Sequence, residues 1–147
     1  MGTPHRTLIV VLVVTLTTVV ISGCGILEPT RDEEGRIAKP TVMPSPDVRV
    51  DDCFSFVDGT ELAFATVVPC SEPHTYIVIG QGTLSESKVD LAGSLQVAVN
   101  NACEPVFERF AAGSPPGGKP DQEFIVSQVQ KPGGLVTYYS CLATDSV

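Results

Sequence analysis

The patterning of apolar and polar positions changes abruptly along the chain. Leu8 to Ile21 is apolar or threonine throughout, fourteen positions without a charge. From Gly25 to about Val48 no period of 2 or 3.6 is sustained, which predicts neither strand nor helix. Runs rich in Val, Ile, Phe and Thr then predict strands at 50–57, 62–68 and 75–81. Asp58-Gly59 is a hairpin turn signal between the first two. Between Ser87 and Ala111 the spacing becomes three and four. Leu91, Leu95, Val99, Ala102, Val106 and Phe110 share one helical face. Pro105 lies inside that helix and predicts a kink or a split, because it has no N–H for residue 101. Gly113 ends it. Ser114 to Pro120 reads as a loop. Residues 123–130 and 135–142 predict a last hairpin around Lys131-Pro132-Gly133-Gly134. The order β-β-β-α-β-β implies an α+β domain, one main helix packed on an antiparallel sheet.

The first apolar run has its own meaning. Fourteen helical residues would span about 21 Å, short of the roughly 30 Å hydrocarbon core of a bilayer. Arg6 and the chain amine precede it, with no acid. Together these features predict an export signal rather than a permanent membrane span. The run ends Ile21-Ser22-Gly23-Cys24. This resembles the bacterial lipobox, with an aliphatic residue, two small residues and the lipidated cysteine. The resemblance implies cleavage before Cys24 and a diacylglycerol thioether on its sulfur, for which the thiolate is the nucleophile. Two acyl chains anchor stably where one is marginal. Residues 1–23 are thus expected to be removed. The protein is expected to be exported and held by Cys24 on the outer face of the cell membrane.

Residues 24–48 then read as the lipidated cysteine and a flexible tether. The segment carries Pro29, Pro40, Pro44 and Pro46 and the charged cluster Arg31-Asp32-Glu33-Glu34 with Arg36. It has too little apolar surface to offset its ordering entropy, and its charges read as solvated. As a coil it would reach roughly 25–30 Å. Residues 49–147 remain as the folded domain. A domain of that size buries only about two-thirds of its unfolded surface. Its four cysteines, Cys53, Cys70, Cys103 and Cys141, are an even number in an exported chain, which predicts two disulfides. Four-thiolate zinc is disfavoured, because no two of them are close in sequence. Three pairings are possible. The first hairpin favours Cys53–Cys70, and a last hairpin docked on the helix favours Cys103–Cys141.

Charge narrows the function. The chain has 17 acids against 9 Lys and Arg, a net −8. Removing residues 1–23 takes away Arg6 and no acid, so −9 remains. Nucleic acid is excluded as a partner, since nothing clusters the cations that phosphate binding needs. Only His74 is left as a histidine in the expected mature chain. It could act as a general base beside Ser71 or Glu72, or sit in a turn with its imidazole bonded to backbone; the second reading is preferred, because nothing orients a base. No nucleophile-elbow, zincin or phosphate-loop motif occurs. The acids Asp51, Asp52, Asp58 and Glu61 lack the ligand spacing of a calcium loop and read as solvated charge. No metal and no cofactor is expected. Tyr76, Tyr138 and Tyr139 are candidate recognition residues, since Tyr joins apolar area to a polar tip, and His74 is counted with them as a possible interaction residue. Neighbours on a strand, Tyr138 and Tyr139 should face opposite sides.

Asp52-Cys53-Phe54, followed by Val68-Pro69-Cys70-Ser71-Glu72-Pro73-His74, resembles the septum-formation domain family of actinobacterial exported proteins and lipoproteins. Ala102-Cys103, Phe107 and Cys141 fit the later part of that pattern. Asp51 stands where that family often has Gly, Thr75-Tyr76 replace a common acid, and no Trp is present. The resemblance implies an envelope or division context without a defined reaction. The expectation is a non-enzymatic, lipid-anchored envelope protein whose domain binds a protein partner. The alternative is a carrier or sensor of a small apolar or lipid ligand held between helix and sheet.

Overall fold

A computed structural model describes residues 29–114 and 120–144. Six strands form one antiparallel sheet: β1 (Thr41–Pro44), β2 (Cys53–Phe56), β3 (Phe64–Val68), β4 (Tyr76–Ser85), β5 (Gln122–Lys131) and β6 (Gly134–Thr144). Their order across the sheet is β1-β3-β2-β4-β6-β5. Helices α1 (Glu86–Ala92) and α2 (Leu95–Gly113) connect β4 to β5. The α+β class, the antiparallel sheet and its main helix agree with the sequence pattern, and five of the six strands fall where the pattern puts them.

The helix breaks at a different place than expected. It divides at Gly93-Ser94, not at Pro105. Gly93 takes a left-handed conformation (φ 84°) that closes α1. The Ser94 hydroxyl then accepts the Val97 N–H at 3.2 Å and caps α2. Pro105 sits inside an uninterrupted α2. The carbonyl it leaves unpaired belongs to exposed Asn101, where solvent reaches it. The break also removes Leu91 from the buried face, leaving it 88% exposed.

Each sheet face carries its own core. On one side α2 buries Ala98, Val99 and Cys103 against Leu84 and Cys141. Cys103 and Cys141 are disulfide-bonded with Cα atoms 5.4 Å apart, tying helix to strand. Close approach here depends on two glycines. A Cβ at Gly80 would lie 2.9 Å from Val106 Cγ1, and one at Gly82 would collide with the Tyr139 ring. Gly82→Val should therefore cost about 1–3 kcal/mol by overpacking. A chemical-denaturation midpoint equal to that of the unsubstituted protein would show that the Tyr139 ring moves freely aside.

The opposite face is covered by the segment expected to be a tether, and this corrects the boundary at 48. Ile37, Met43 and Val48 are buried with Phe54, Ala65, Val67, Val78 and Leu142. Thr41–Pro44 pairs with β3 as an edge strand, where proline is tolerated. Upstream, Arg31 and Ile37 form a bridge around a turn with Gly35 at φ 82°. Asp32 accepts the Arg36 backbone N–H at 2.8 Å, which holds its carboxyl below the usual range. Arg31 is not solvated. Its guanidinium bonds both Asp52 oxygens at 2.7 and 2.8 Å, with side-chain exposures of 11% and 2%. Residues from about 30 to 48 are thus a strap on the domain. The physical reason is that Ile37, Met43 and Val48 fall at irregular spacing, so no periodic window detects them.

The strap also reveals the curl of the sheet. In a flat sheet the five steps from β1 to β5 would span about 24 Å. Yet the 3₁₀ turn Ser45–Asp47, which follows β1 directly, contacts both β5 and β6. The two sheet edges must therefore curl towards each other. Gln81, between the two glycines, points inward and donates to Val48 O at 2.7 Å and Ser140 Oγ at 2.9 Å. It fastens the strap across the curl.

Candidate functional site

The inside of the curl is the candidate site, and strand alternation builds it. Thr83 pairs with Tyr138, Ser127 with Tyr138, and Ile125 with Ser140, so these side chains share the face away from α2. They line a cleft of about 420 Å³ with Gln81 and Pro46. Apart from the Tyr138 phenol its polar groups are hydroxyls and one amide. Lys131 donates to the Tyr138 hydroxyl and lies 5.1 Å from the ring centroid, orienting that ring at the rim.

A larger cavity of about 770 Å³ adjoins the first and shares Pro46 and Ile125 with it. Pro44 and Ser45 wall it on one side and Glu123–Val126 of the free β5 edge on the other. Phe56 and Tyr76 form its aromatic surface. Their rings are 5.3 Å apart and both stack on the buried Phe54, at 5.3 and 5.6 Å. These edge-on and tilted contacts fix the ring positions. At the β2–β3 turn, Glu61 and Leu62 take left-handed conformations (φ 49° and 66°), and the Leu62 carbonyl accepts the Ser45 hydroxyl. Non-glycine residues there are strained, so the turn is held in one shape by its neighbours.

The expected site residues separate into groups. Tyr76 and Tyr138 meet the two cavities of one face. The Tyr139 ring lies on the other face beneath Gly82, in the helix-side core. His74 is 9% exposed, and its Nδ1–H donates to Glu72 O at 2.7 Å, holding the ring to the turn beside Cys70. Cys53 and Cys70 are bonded with Cα atoms 5.1 Å apart, as the hairpin predicts. Asp52, read as solvated, is buried and committed to Arg31 and to the Arg49 N–H. Cys24 lies outside the described residues. Among the described residues, no group of three His, Cys, Asp or Glu is placed to hold a metal ion. No helix there is long and apolar enough to cross a membrane.

Sequence reasoning missed Pro46, Gln81 and Thr83. Only the Gly80-Gln81-Gly82 run hinted at them, since two glycines around a polar residue within a strand mark a close approach. The carrier alternative placed its ligand between helix and sheet. Val99, Cys103, Val106 and the Tyr139 ring occupy much of that interface, where a cavity of about 270 Å³ remains between Ile77 and Ile79 of β4 and Val106, Arg109 and Phe110 of α2; the larger cavities lie on the opposite face. In comparison with known proteins, no family model, no curated protein and no solved structure matches this chain.

Proposed function

We propose that this protein is a non-catalytic binding module of the cell envelope, anchored through lipid on Cys24, and that it engages its protein partner through the inner face of the curled sheet. The observation carrying this reading is the pair of adjoining cavities bearing Tyr76 and Tyr138 on one face. Tyrosines at the edge of a cleft are typical anchors of a recognition surface. The two disulfides support export. The motif from Asp52 to His74 supports an envelope or division context by its resemblance to the septum-formation family. The strap adds a consequence for reach. With Arg31 bound to Asp52, only the six residues 25–30 separate Cys24 from the folded unit, about 20 Å when fully extended. The domain would therefore sit close to the membrane rather than on a long stalk.

Cys24→Ser should move the protein from the membrane fraction to the supernatant. Continued partition into detergent would refute lipid anchoring. Thr83→Arg, which fills the smaller cleft from an exposed strand position, should abolish capture of a partner cross-linked to the unsubstituted protein in intact cells. Equal capture by both would place the interface elsewhere.

A second reading is favoured by one observation. The larger cavity falls within the roughly 300–1,000 Å³ of small-ligand sites. It supports the carrier or sensor alternative, with the ligand inside the curl.

A further inference from the structure

The larger cavity has a chemical bias that apolar character alone does not convey. Phe56 and Tyr76 supply aromatic faces, and Ile125 and Leu142 supply aliphatic surface. Two full charges line it, Glu61 and Glu123, and both are negative. No Lys, Arg or His lines it. Among the described residues neither carboxylate has an ion-pair partner. Glu61 is carried on the strained turn and Glu123 on the free β5 edge, so they approach the cavity from opposite walls. Aromatic faces attract cations through their quadrupole, and carboxylates at the mouth add Coulomb attraction. An anionic ligand would meet two like charges on a protein already at −8.

We infer that this cavity binds a small organic cation, a substituted ammonium group with an apolar body, seated against the paired rings of Phe56 and Tyr76 with Glu61 and Glu123 at its mouth. The inference rests on the small-ligand reading of the cavity. The outer walls hold the charge balance and the aromatic pair holds the apolar surface. A compact, weakly hydrated ammonium matches both, whereas a neutral hydrocarbon would leave the two carboxylates without a role.

The test uses three probes of one shape: choline, uncharged 3,3-dimethylbutan-1-ol and anionic 3,3-dimethylbutanoate. Each is titrated into the full-length protein in a detergent without choline or other ammonium headgroups, and Tyr76 ring chemical shifts are followed. Choline should bind about tenfold more tightly than the alcohol, and the anion should not bind. The double variant Glu61→Gln/Glu123→Gln should bring choline to within about twofold of the alcohol. Both positions are exposed and make no ion pair, so its thermal midpoint should be unchanged. Equal affinity for choline and the alcohol would overturn cation selectivity and leave the cavity as an apolar site. Binding of none of the three would overturn the small-ligand reading itself. A choline preference that survives the double variant would remove both carboxylates from the assignment.

Discussion

Arg31→Ala should destabilise the domain by about 3–5 kcal/mol, although Arg31 lies in a stretch with the composition of a linker. The substitution leaves Asp52 buried at 2% side-chain exposure with no compensating charge. Only the Arg49 N–H would still bond it, at 2.8 Å. An exposed pair would be worth a fraction of that amount, because solvent screens it. Urea denaturation of the unsubstituted and variant proteins measures the difference. Arg31→Met with Asp52→Leu should recover most of the loss, since an apolar pair of similar volume avoids the desolvation of both charges. A loss below about 1 kcal/mol for Arg31→Ala would mean that the guanidinium is solvated and the strap loose. The pair should not respond to pH near neutrality. Hydrogen bonding to Asp52 raises Arg31 above its ordinary value. That contribution is fully present below the unfolded pKa of arginine and is lost as the pH rises into the strongly alkaline range.

Removing the second disulfide should have a comparable effect. Cys103→Ala with Cys141→Ala opens a loop whose closure is worth about 4 kcal/mol in the chain-entropy model. Both cysteines are fully buried, so lost packing adds to the loss. The bridge between Cys53 and Cys70 closes a shorter loop, worth about 3 kcal/mol, and Cys70 is exposed. The helix–strand bridge should therefore be the more damaging deletion. Denaturation midpoints of the two double variants decide the order. If the pair at 53 and 70 costs more, β2 and β3 carry more of the stability than the helix-side core does.

A small domain explains why such single contacts matter. Roughly a hundred residues bury a modest core, and net stability is the small difference between large terms. Here the core is further divided between two sheet faces. Each half depends on a long-range tie: the disulfide on the helix side, and Arg31–Asp52 with Gln81 on the strap side.

Local patterning was enough for much of this. The β-branched and aromatic runs of β2 to β6 and the three–four spacing of α2 mark the elements, and that is a short-range property of the chain. The hairpin signal at Asp58-Gly59 brought Cys53 towards Cys70 without tertiary information. The opposed faces of Tyr138 and Tyr139 follow from strand geometry alone. The Gly93-Ser94 break was also legible, as a left-handed cap followed by an N-cap, but the apolar stripe running through Leu91 masked it. The strap and the site belong to another class. Arg31 and Asp52 are 21 residues apart, and Gln81 and Ser140 are 59 apart. Ile37, Met43 and Val48 become core only because the sheet curls beneath them. The cavities exist only because that curl brings the β1 edge towards β5, joining Pro44 and Ser45 to Glu123 and Ile125 across nearly eighty residues. No periodic window contains both sides of such a contact. Residue pattern thus assigned the elements and the staples, while sheet curvature, a property of all six strands together, decided what the linker-like segment covers and where the cavities open.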